Sequence, residues 1–151
     1  MRTIRTLEDL REVAHTLLGE LATHTGGATL VTLSGELGAG KTAFVKEIAR
    51  ALGLLEDITS PAFVLEKIYA LPTPVAGFAR LVHIDAYRLE NPHALSALGF
   101  DELMHDHESL VMLEWPEKVA EMLPVPAVKI VLSPKTDGTR TIDITYDKTN
   151  D

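Results

Sequence analysis

The amino-acid sequence predicts a three-layer α/β fold, with a mostly parallel mixed sheet and a C-terminal β-hairpin, in a single domain over residues 1–151. Two observations lead to this fold class. Short apolar runs typical of buried strands alternate with stretches in which apolar residues lie three and four apart, as in helices that pack on a sheet. In addition, 46% of the 151 residues are apolar and 24% are charged, which is ordinary for a folded chain of this size.

The first third of the chain contains two predicted helices around one predicted strand. Residues 7–21 have helical apolar spacing, and Thr6 with Asp9 forms a capping box at the start. A short apolar run over residues 28–33 predicts a buried strand. Residues 42–52 then resume helical spacing. The order helix, strand, helix is the beginning of an α/β domain.

The rest of the chain is richer in strands and turns. Residues 63–70 and 78–84 are predicted strands, joined by a surface loop at residues 71–77 that contains two prolines. The remaining predicted elements are helices at 92–103 and 116–123, a strand at 109–113, and strands at 128–132 and 141–146 around an Asp137-Gly138 turn.

Composition and charge exclude several classes of function. The chain has no cysteine, so it has neither a disulfide framework nor a thiolate nucleophile. No apolar stretch approaches the ~18 residues of a membrane span, and the first residues do not resemble a signal peptide, so a cytoplasmic location without a membrane partner is expected. The net charge is −8, and residues 83–121 hold nine acidic but only two basic residues. This acidity disfavours direct DNA or RNA binding.

A glycine-rich motif follows the predicted strand 28–33. Residues 35–42 match G-x-x-x-x-G-K-[ST] and open the predicted helix 42–52, which is the context that a phosphate loop requires. Backbone N–H groups of such a loop bind phosphate oxygens, Lys41 neutralises the outer phosphates, and Thr42 supplies a hydroxyl for Mg²⁺. The predicted nucleotide-binding residues here are Gly35, Glu36, Leu37, Gly38, Ala39, Gly40, Lys41, Thr42 and Ala43.

Two carboxylates follow apolar strands later in the chain. Asp85 ends one run and Glu114 ends another, and a phosphate loop needs a carboxylate near the metal at such a position. One acid can hold Mg²⁺ while the other orients the attacking water, but spacing leaves open which acid does which. His83 lies two residues before Asp85, on the same side of the strand, and is interpreted either as orienting Asp85 or as a core residue. The chain has no N-K-x-D guanine-reading motif, which favours ATP over GTP.

These motifs together resemble the TsaE family, small bacterial P-loop ATPases that take part in forming threonylcarbamoyladenosine in tRNA. The resemblance covers nearly the whole chain. It depends on four ordered blocks, which are GELGAGKT at 35–42, TSPAF at 59–63, HIDAYRL at 83–89 and EWPE at 114–117. The chain differs from the usual family pattern at Ala43 and Ala62, where threonine is expected.

The resemblance implies roles for particular residues. Lys41 would bind the outer phosphates, Thr42 with Glu114 would ligate Mg²⁺, and Asp85 would be an essential acid near the γ-phosphate. Thr59 would have a catalytic role in a segment that resembles a GTPase switch.

The resemblance also implies contacts with the nucleotide from elsewhere in the chain. Trp115 would lie beside the nucleotide site. Thr6 from one chain end, and the turn with Gly138 and Arg140 from the other, would approach the nucleotide.

The family implies an activity and partners as well. A Mg²⁺-dependent ATPase of this kind is weak alone, and its hydrolysis of ATP drives the cycle of a TsaD–TsaB heterodimer, so that tRNA is met only through the complex. Two alternatives remain. One is a small-molecule or nucleotide kinase, although Arg80, Arg88 and Arg140 are dispersed rather than clustered in a lid. The other is a nucleotide-sensing adaptor that needs no hydrolysis.

Overall fold

A computed structural model describes residues 1–21, 26–56, 58 and 65–147. Within them, seven strands form one sheet in the order β1-β7-β6-β2-β5-β4-β3. The elements in chain order are β1 Arg2–Ile4, α1 Leu7–Glu20, β2 Thr29–Ser34, α2 Lys41–Ala51, β3 Glu66–Val75, β4 Phe78–Asp85, α3 Phe100–Leu103, β5 Ser109–Glu114, β6 Val128–Pro134 and β7 Arg140–Tyr146. Turns of 3₁₀ helix cover Pro92–Leu98, Pro116–Lys118 and Ala120–Met122.

The sheet is mixed, with a parallel centre. β6, β2, β5 and β4 are parallel neighbours, while β7, β1 and β3 are added in antiparallel pairs at the two sides. Five of the seven described strands therefore run in one direction, which confirms the predicted mostly parallel sheet with a C-terminal hairpin of β6 and β7.

Apolar side chains on the two faces of the sheet form two cores. On one face, residues such as Leu33, Leu110 and Met112 pack with the buried stripes of α1 and α2. On the other, Val111 and Leu113 pack with the 3₁₀ turns, α3 and their neighbours. This alternation along β5 is the period of two expected for a strand buried on both faces, and it confirms three layers.

The predicted surface loop at 71–77 is wrong for most of its length. Strand β3 continues through Pro72 and Pro74 to Val75, and only Ala76 and Gly77 form the turn into β4. Proline is tolerated there because β3 is the edge of the sheet, where a missing N–H need not leave a neighbouring strand unpaired. The register of β3 against β4 also shifts between Ala70 and Val75.

Both short helices predicted in the second half are interrupted. In the first, Gly99 has a left-handed backbone with φ of 77°, which separates a 3₁₀ turn from the four-residue helix α3. In the second, Val119 is fully buried and has a non-helical backbone between two 3₁₀ turns. Helices of this length gain little from their own hydrogen bonds, so tertiary packing decides their form. The strand β1 has no predicted counterpart, because three residues are too few to show a period.

Candidate nucleotide-binding site

The phosphate loop connects β2 to α2 at the carboxyl ends of the parallel strands. Helix α2 begins after Gly40, whose left-handed φ of 103° lets the chain turn from the loop into the helix. Gly35 has a φ of 150°, and a Cβ built on it would overlap the carbonyl oxygen of Leu132 on β6. Glycine is therefore required at position 35 by close backbone approach, and at position 40 by conformation.

Lys41 is folded back over the loop that precedes it. Its Nζ donates to the carbonyl oxygens of Gly35 and Glu36, the latter at 3.3 Å, and lies 3.7 Å from the centre of the Trp115 ring. The residue is only 5% exposed. Burial lowers the pKa of Lys41, and the negative charges of Glu114, Glu117 and Asp85 oppose that shift. The ammonium group thus lies among acceptors that a phosphate oxygen could replace.

Glu114 is buried at the end of β5 and accepts hydrogen bonds from two neighbouring elements. The Thr42 hydroxyl, at the start of α2, is 3.0 Å from Oε2 and 3.2 Å from Oε1 of Glu114. The Nε2 atom of His83, on β4, is 2.5 Å from Oε2. His83 and Glu114 are 0% and 2% exposed, whereas Thr42 is partly exposed at the start of α2.

Asp85 ends β4 directly beside Glu114, because the two residues are register partners in the parallel pair. Asp85 is partly exposed, whereas Glu114 is buried. The backbone N–H of Tyr87 donates to Asp85 Oδ1 at 3.0 Å, which holds the carboxylate in a tight turn after the strand. The two acids occupy equivalent positions on neighbouring strands but different environments.

Trp115 is the chain's only tryptophan, and it has a left-handed backbone with φ of 62°. Its backbone N–H donates to the carbonyl oxygen of Leu33 near the end of β2, and its ring centre lies 4.9 Å from that of Tyr87. An aromatic residue in this strained region of backbone space marks a constrained position. The face of the Trp115 ring lies against the Lys41 ammonium group.

A cleft of about 280 Å³ brings most of these residues together. It is lined by Leu37, Gly38, Ala39, Gly40, Lys41, Thr42, Ala43, Asp85, Tyr87, Glu114 and Trp115. Gly35 and Glu36 are not in the lining, but their carbonyl groups accept from Lys41. Most of the predicted site residues therefore share one cavity.

The remaining predicted residues are placed differently. Arg140, at the start of β7, donates from Nη2 to the carbonyl oxygen of Gly38 at 3.3 Å, so the hairpin contacts the phosphate loop. Gly138 lies in the turn before β7 with φ of 87°. Thr6 caps α1 through the predicted capping box, and neither Thr6 nor Gly138 lines the cleft. Thr59 lies outside the described residues.

The sequence patterns do not predict two contacts in the site. Of the two interpretations of His83, the buried core position agrees with the structure, but its Nε2 contacts Glu114 of the next strand, a partner that the spacing does not predict. Tyr87 lines the cleft, and its ring is tilted by 44° to that of Trp115 at a centre-to-centre distance of 4.9 Å. Both contacts join residues about 30 positions apart in the chain, which a local sequence pattern does not encode.

The donor set suits a hard divalent cation held by few protein ligands. Within the described residues there is no group of three or more His, Cys, Asp or Glu side chains arranged to hold a metal ion. Thr42 and Glu114 nevertheless bring hydroxyl and carboxylate oxygens together beside the phosphate loop. Mg²⁺ commonly takes one or two protein oxygens together with substrate phosphates and water, so these residues fit Mg²⁺.

The fold and this site define a P-loop NTPase-type nucleotide-binding protein, and comparison with known proteins identifies its family. The family described as threonylcarbamoyl adenosine biosynthesis protein TsaE matches residues 4–142. The chain belongs to the TsaE family.

Individual relatives agree with the family match. A Treponema pallidum protein named tRNA threonylcarbamoyladenosine biosynthesis protein TsaE is 39% identical over 77% of this chain and 81% of its own length. A Bacillus subtilis protein of the same name is 36% identical over 77% of this chain and 68% of its own. The crystal structure of Bacillus subtilis YdiB superimposes with a TM-score of 0.73 at 28% identity, covering 96% of this chain and 83% of that one.

The structure contains no helix, in the ranges it describes, that is long and apolar enough to cross a membrane.

Proposed function

We propose that this protein is the ATP-hydrolysing component of the tRNA threonylcarbamoyladenosine machinery and that it drives the cycle of a TsaD–TsaB heterodimer with Mg²⁺ as cofactor. The observation that carries the proposal is the single cleft in which Lys41, the Thr42–Glu114 pair and Asp85 meet. A phosphate-binding cation, a metal-binding oxygen pair and a separate accessible acid are the parts that phosphoryl transfer to water requires.

Three residues would bind the phosphates and the metal. Lys41 would exchange the carbonyl groups of Gly35 and Glu36 for outer phosphate oxygens, which is a short movement of a flexible side chain. Thr42 and Glu114 would hold Mg²⁺, which when bound neutralises charge that develops on the phosphate oxygens. The backbone N–H groups at the start of α2 add the partial positive charge of a helix N-terminus.

Asp85 would position the attacking water. It is partly exposed in the cleft and lies beside Glu114, so it can reach a water molecule without leaving its strand end. The Tyr87 N–H orients this carboxylate, and an ionised carboxylate accepts several hydrogen bonds, which suits it to a water molecule in the cleft. Positioning of the water by Asp85, together with electrostatic stabilisation by the cations, is what a protein contributes to this reaction.

The surroundings of the cleft favour a partner that completes the site. Leu37 and Tyr87 line it with exposed fractions of 67% and 40%, and large apolar side chains left exposed around a cleft are typical of a surface that another protein covers. TsaD and TsaB would cover it, and tRNA would be met only through that complex. The cytoplasm, where tRNA is modified, would be the location.

The test is an ATPase assay of the purified chain alone and with purified TsaB and TsaD. The expected result is weak hydrolysis alone and a large stimulation by the pair, since the partners would order the open cleft. No stimulation, together with ATP-dependent phosphorylation of a small metabolite, would replace this proposal with a kinase. Support of tRNA modification by a hydrolysis-dead variant would replace it with a nucleotide-sensing adaptor.

A further inference from the structure

His83 is a fully buried polar side chain that the proposed reaction does not use. It lies on β4, and the residues two positions before and after it on that strand are Leu81, which packs in the core against α1 and α2, and Asp85. Its Nε2 is 2.5 Å from Glu114 Oε2. Among the described residues, its Nδ1 has no hydrogen-bond partner.

The contact at Nε2 and the lack of a partner at Nδ1 determine which nitrogen of His83 donates. A hydrogen on Nδ1 alone would leave a buried donor unsatisfied and would turn the Nε2 lone pair toward a carboxylate oxygen, which is repulsive at 2.5 Å. With the hydrogen on Nε2, the ring donates to Glu114 and only an acceptor lone pair at Nδ1 remains unused. His83 therefore donates its Nε2–H to Glu114.

This hydrogen bond fixes the direction of the Glu114 side chain. Thr42 contacts both carboxylate oxygens from the α2 side, at 3.0 and 3.2 Å, whereas His83 contacts Oε2 from the neighbouring strand. Donors on two different elements leave the carboxylate little rotational freedom. Oε1, with one donor, keeps capacity for a further partner.

We infer that His83 is a positioning residue that holds Glu114 in the orientation needed to ligate Mg²⁺. The inference rests on the proposed function, because that function makes Glu114 a metal ligand. A metal-binding carboxylate that is already oriented loses less conformational entropy when the ion binds, and groups that orient metal ligands in this way typically change metal affinity by ~10–100-fold.

The test compares nucleotide binding with and without the metal, so that activity is not the only readout. ADP affinity is measured by calorimetry in EDTA and across a Mg²⁺ series for the wild type, His83→Leu, His83→Asn and His83→Gln. In glutamine the amide nitrogen lies about as far from the backbone as Nε2, so it can replace the donor, whereas leucine and asparagine remove it. Thr29→Val is the control, because Thr29 is a buried residue of β2 whose hydroxyl also has no partner.

The expected result is a selective loss of the metal effect. His83→Leu and His83→Asn should raise the half-saturating Mg²⁺ concentration ~10–100-fold, leave ADP affinity in EDTA nearly unchanged, and be largely rescued in His83→Gln. Thr29→Val should behave as the wild type. A half-saturating Mg²⁺ concentration unchanged in the leucine and asparagine variants would overturn the inference.

Two other outcomes separate the inference from its premise. If wild-type ADP affinity does not respond to Mg²⁺, the proposed metal chemistry itself is wrong. If both loss variants lack a cooperative thermal transition while the glutamine variant keeps one, the hydrogen-bond donor at this position is needed for folding, and the positioning role is rejected.

Discussion

Acidic side chains lie at both ends of the neighbouring strands β4 and β5, but the protein holds them in different ways. At the amino end, Asp106 precedes β5 and accepts two hydrogen bonds from Arg80 of β4, at 2.9 and 3.0 Å, and one from Ser109 at 2.7 Å. At the carboxyl end, Glu114 accepts from a hydroxyl and an imidazole, and Asp85 lies beside it.

The difference indicates which end is built for a ligand. A guanidinium group that binds a carboxylate through two nitrogens supplies the compensating charge within the protein, so Asp106 at the amino end needs no added cation. Two adjacent carboxylates at the carboxyl end are better accommodated when a cation is added. Ligands of open α/β sheets bind outside the carboxyl ends of the strands, in agreement with this contrast.

The largest expected effect is on nucleotide affinity, and it distinguishes Lys41, at the carboxyl end of the strands, from Arg80, at the amino end. Lys41→Ala should abolish productive nucleotide binding, because it removes the charge that would meet the outer phosphates. Arg80→Ala should leave nucleotide affinity unchanged, because Arg80 binds Asp106 at the opposite end of the strands. Calorimetry with ATP and Mg²⁺ measures both variants, and equal losses of affinity in the two would contradict the assignment of the site to the carboxyl end.

Asp85→Asn should have the next largest effect, and on turnover rather than binding. The amide keeps the shape of the side chain but orients and activates water poorly, and positioned acid–base groups contribute ~10²–10⁴-fold to rate. ATP hydrolysis in the presence of TsaB and TsaD should fall accordingly, with nucleotide affinity retained. The role given to Asp85 is wrong if this variant hydrolyses ATP at the wild-type rate.

Glu114→Gln should instead weaken the binding of Mg²⁺. Loss of the negative charge should raise the Mg²⁺ concentration needed for half-maximal hydrolysis, by at least the ~10–100-fold seen when only a supporting group is removed. Excess Mg²⁺ should restore part of the rate in Glu114→Gln but none in Asp85→Asn. The same Mg²⁺ response in both variants would show that the two acids share one role.

The smallest expected effect is on the free energy of unfolding, through Asp106 at the amino end of β5. The pKa of Asp106 is lowered: burial pulls it upward most strongly, but the hydrogen bonds from Ser109, the Glu108 N–H and Arg80 together outweigh burial. Because the folded-state pKa lies below the ordinary value of 3.8, this stabilisation is complete above that pH and is lost as the pH falls through the folded-state pKa.

Asp106→Asn should therefore reduce the free energy of unfolding by about 1 kcal/mol at neutral pH, since the pair is partly exposed. It should also flatten the decrease of stability in acid, which denaturant titrations between about pH 2 and 6 would measure. Nucleotide binding at neutral pH should not change. The exposed Asp101, replaced by Asn, is the matched control.

Much of the fold and site could be predicted because the signals are local. The capping box of Thr6 and Asp9, the strand β2 and the helix after the glycine-rich loop depend on residues within a few positions of one another. Asp85 and Glu114 could be predicted as site residues because each ends an apolar run. The helices expected at 92–103 and 116–123 failed because burial of residues such as Val119 and the left-handed Gly99 outweighs weak helical preference.

The sequence by itself determined the chemistry that is available: a phosphate loop with Lys41 and Thr42, and two acids at strand ends. Only the tertiary structure decided how the two acids differ in burial and in hydrogen-bond partners. Parallel pairing of β4 with β5 places Asp85 beside Glu114 and brings His83 against Glu114, and the packing of α2 on the same sheet adds Thr42. One acid is thereby buried and held while the other stays accessible, because their difference arises from neighbours distant in sequence.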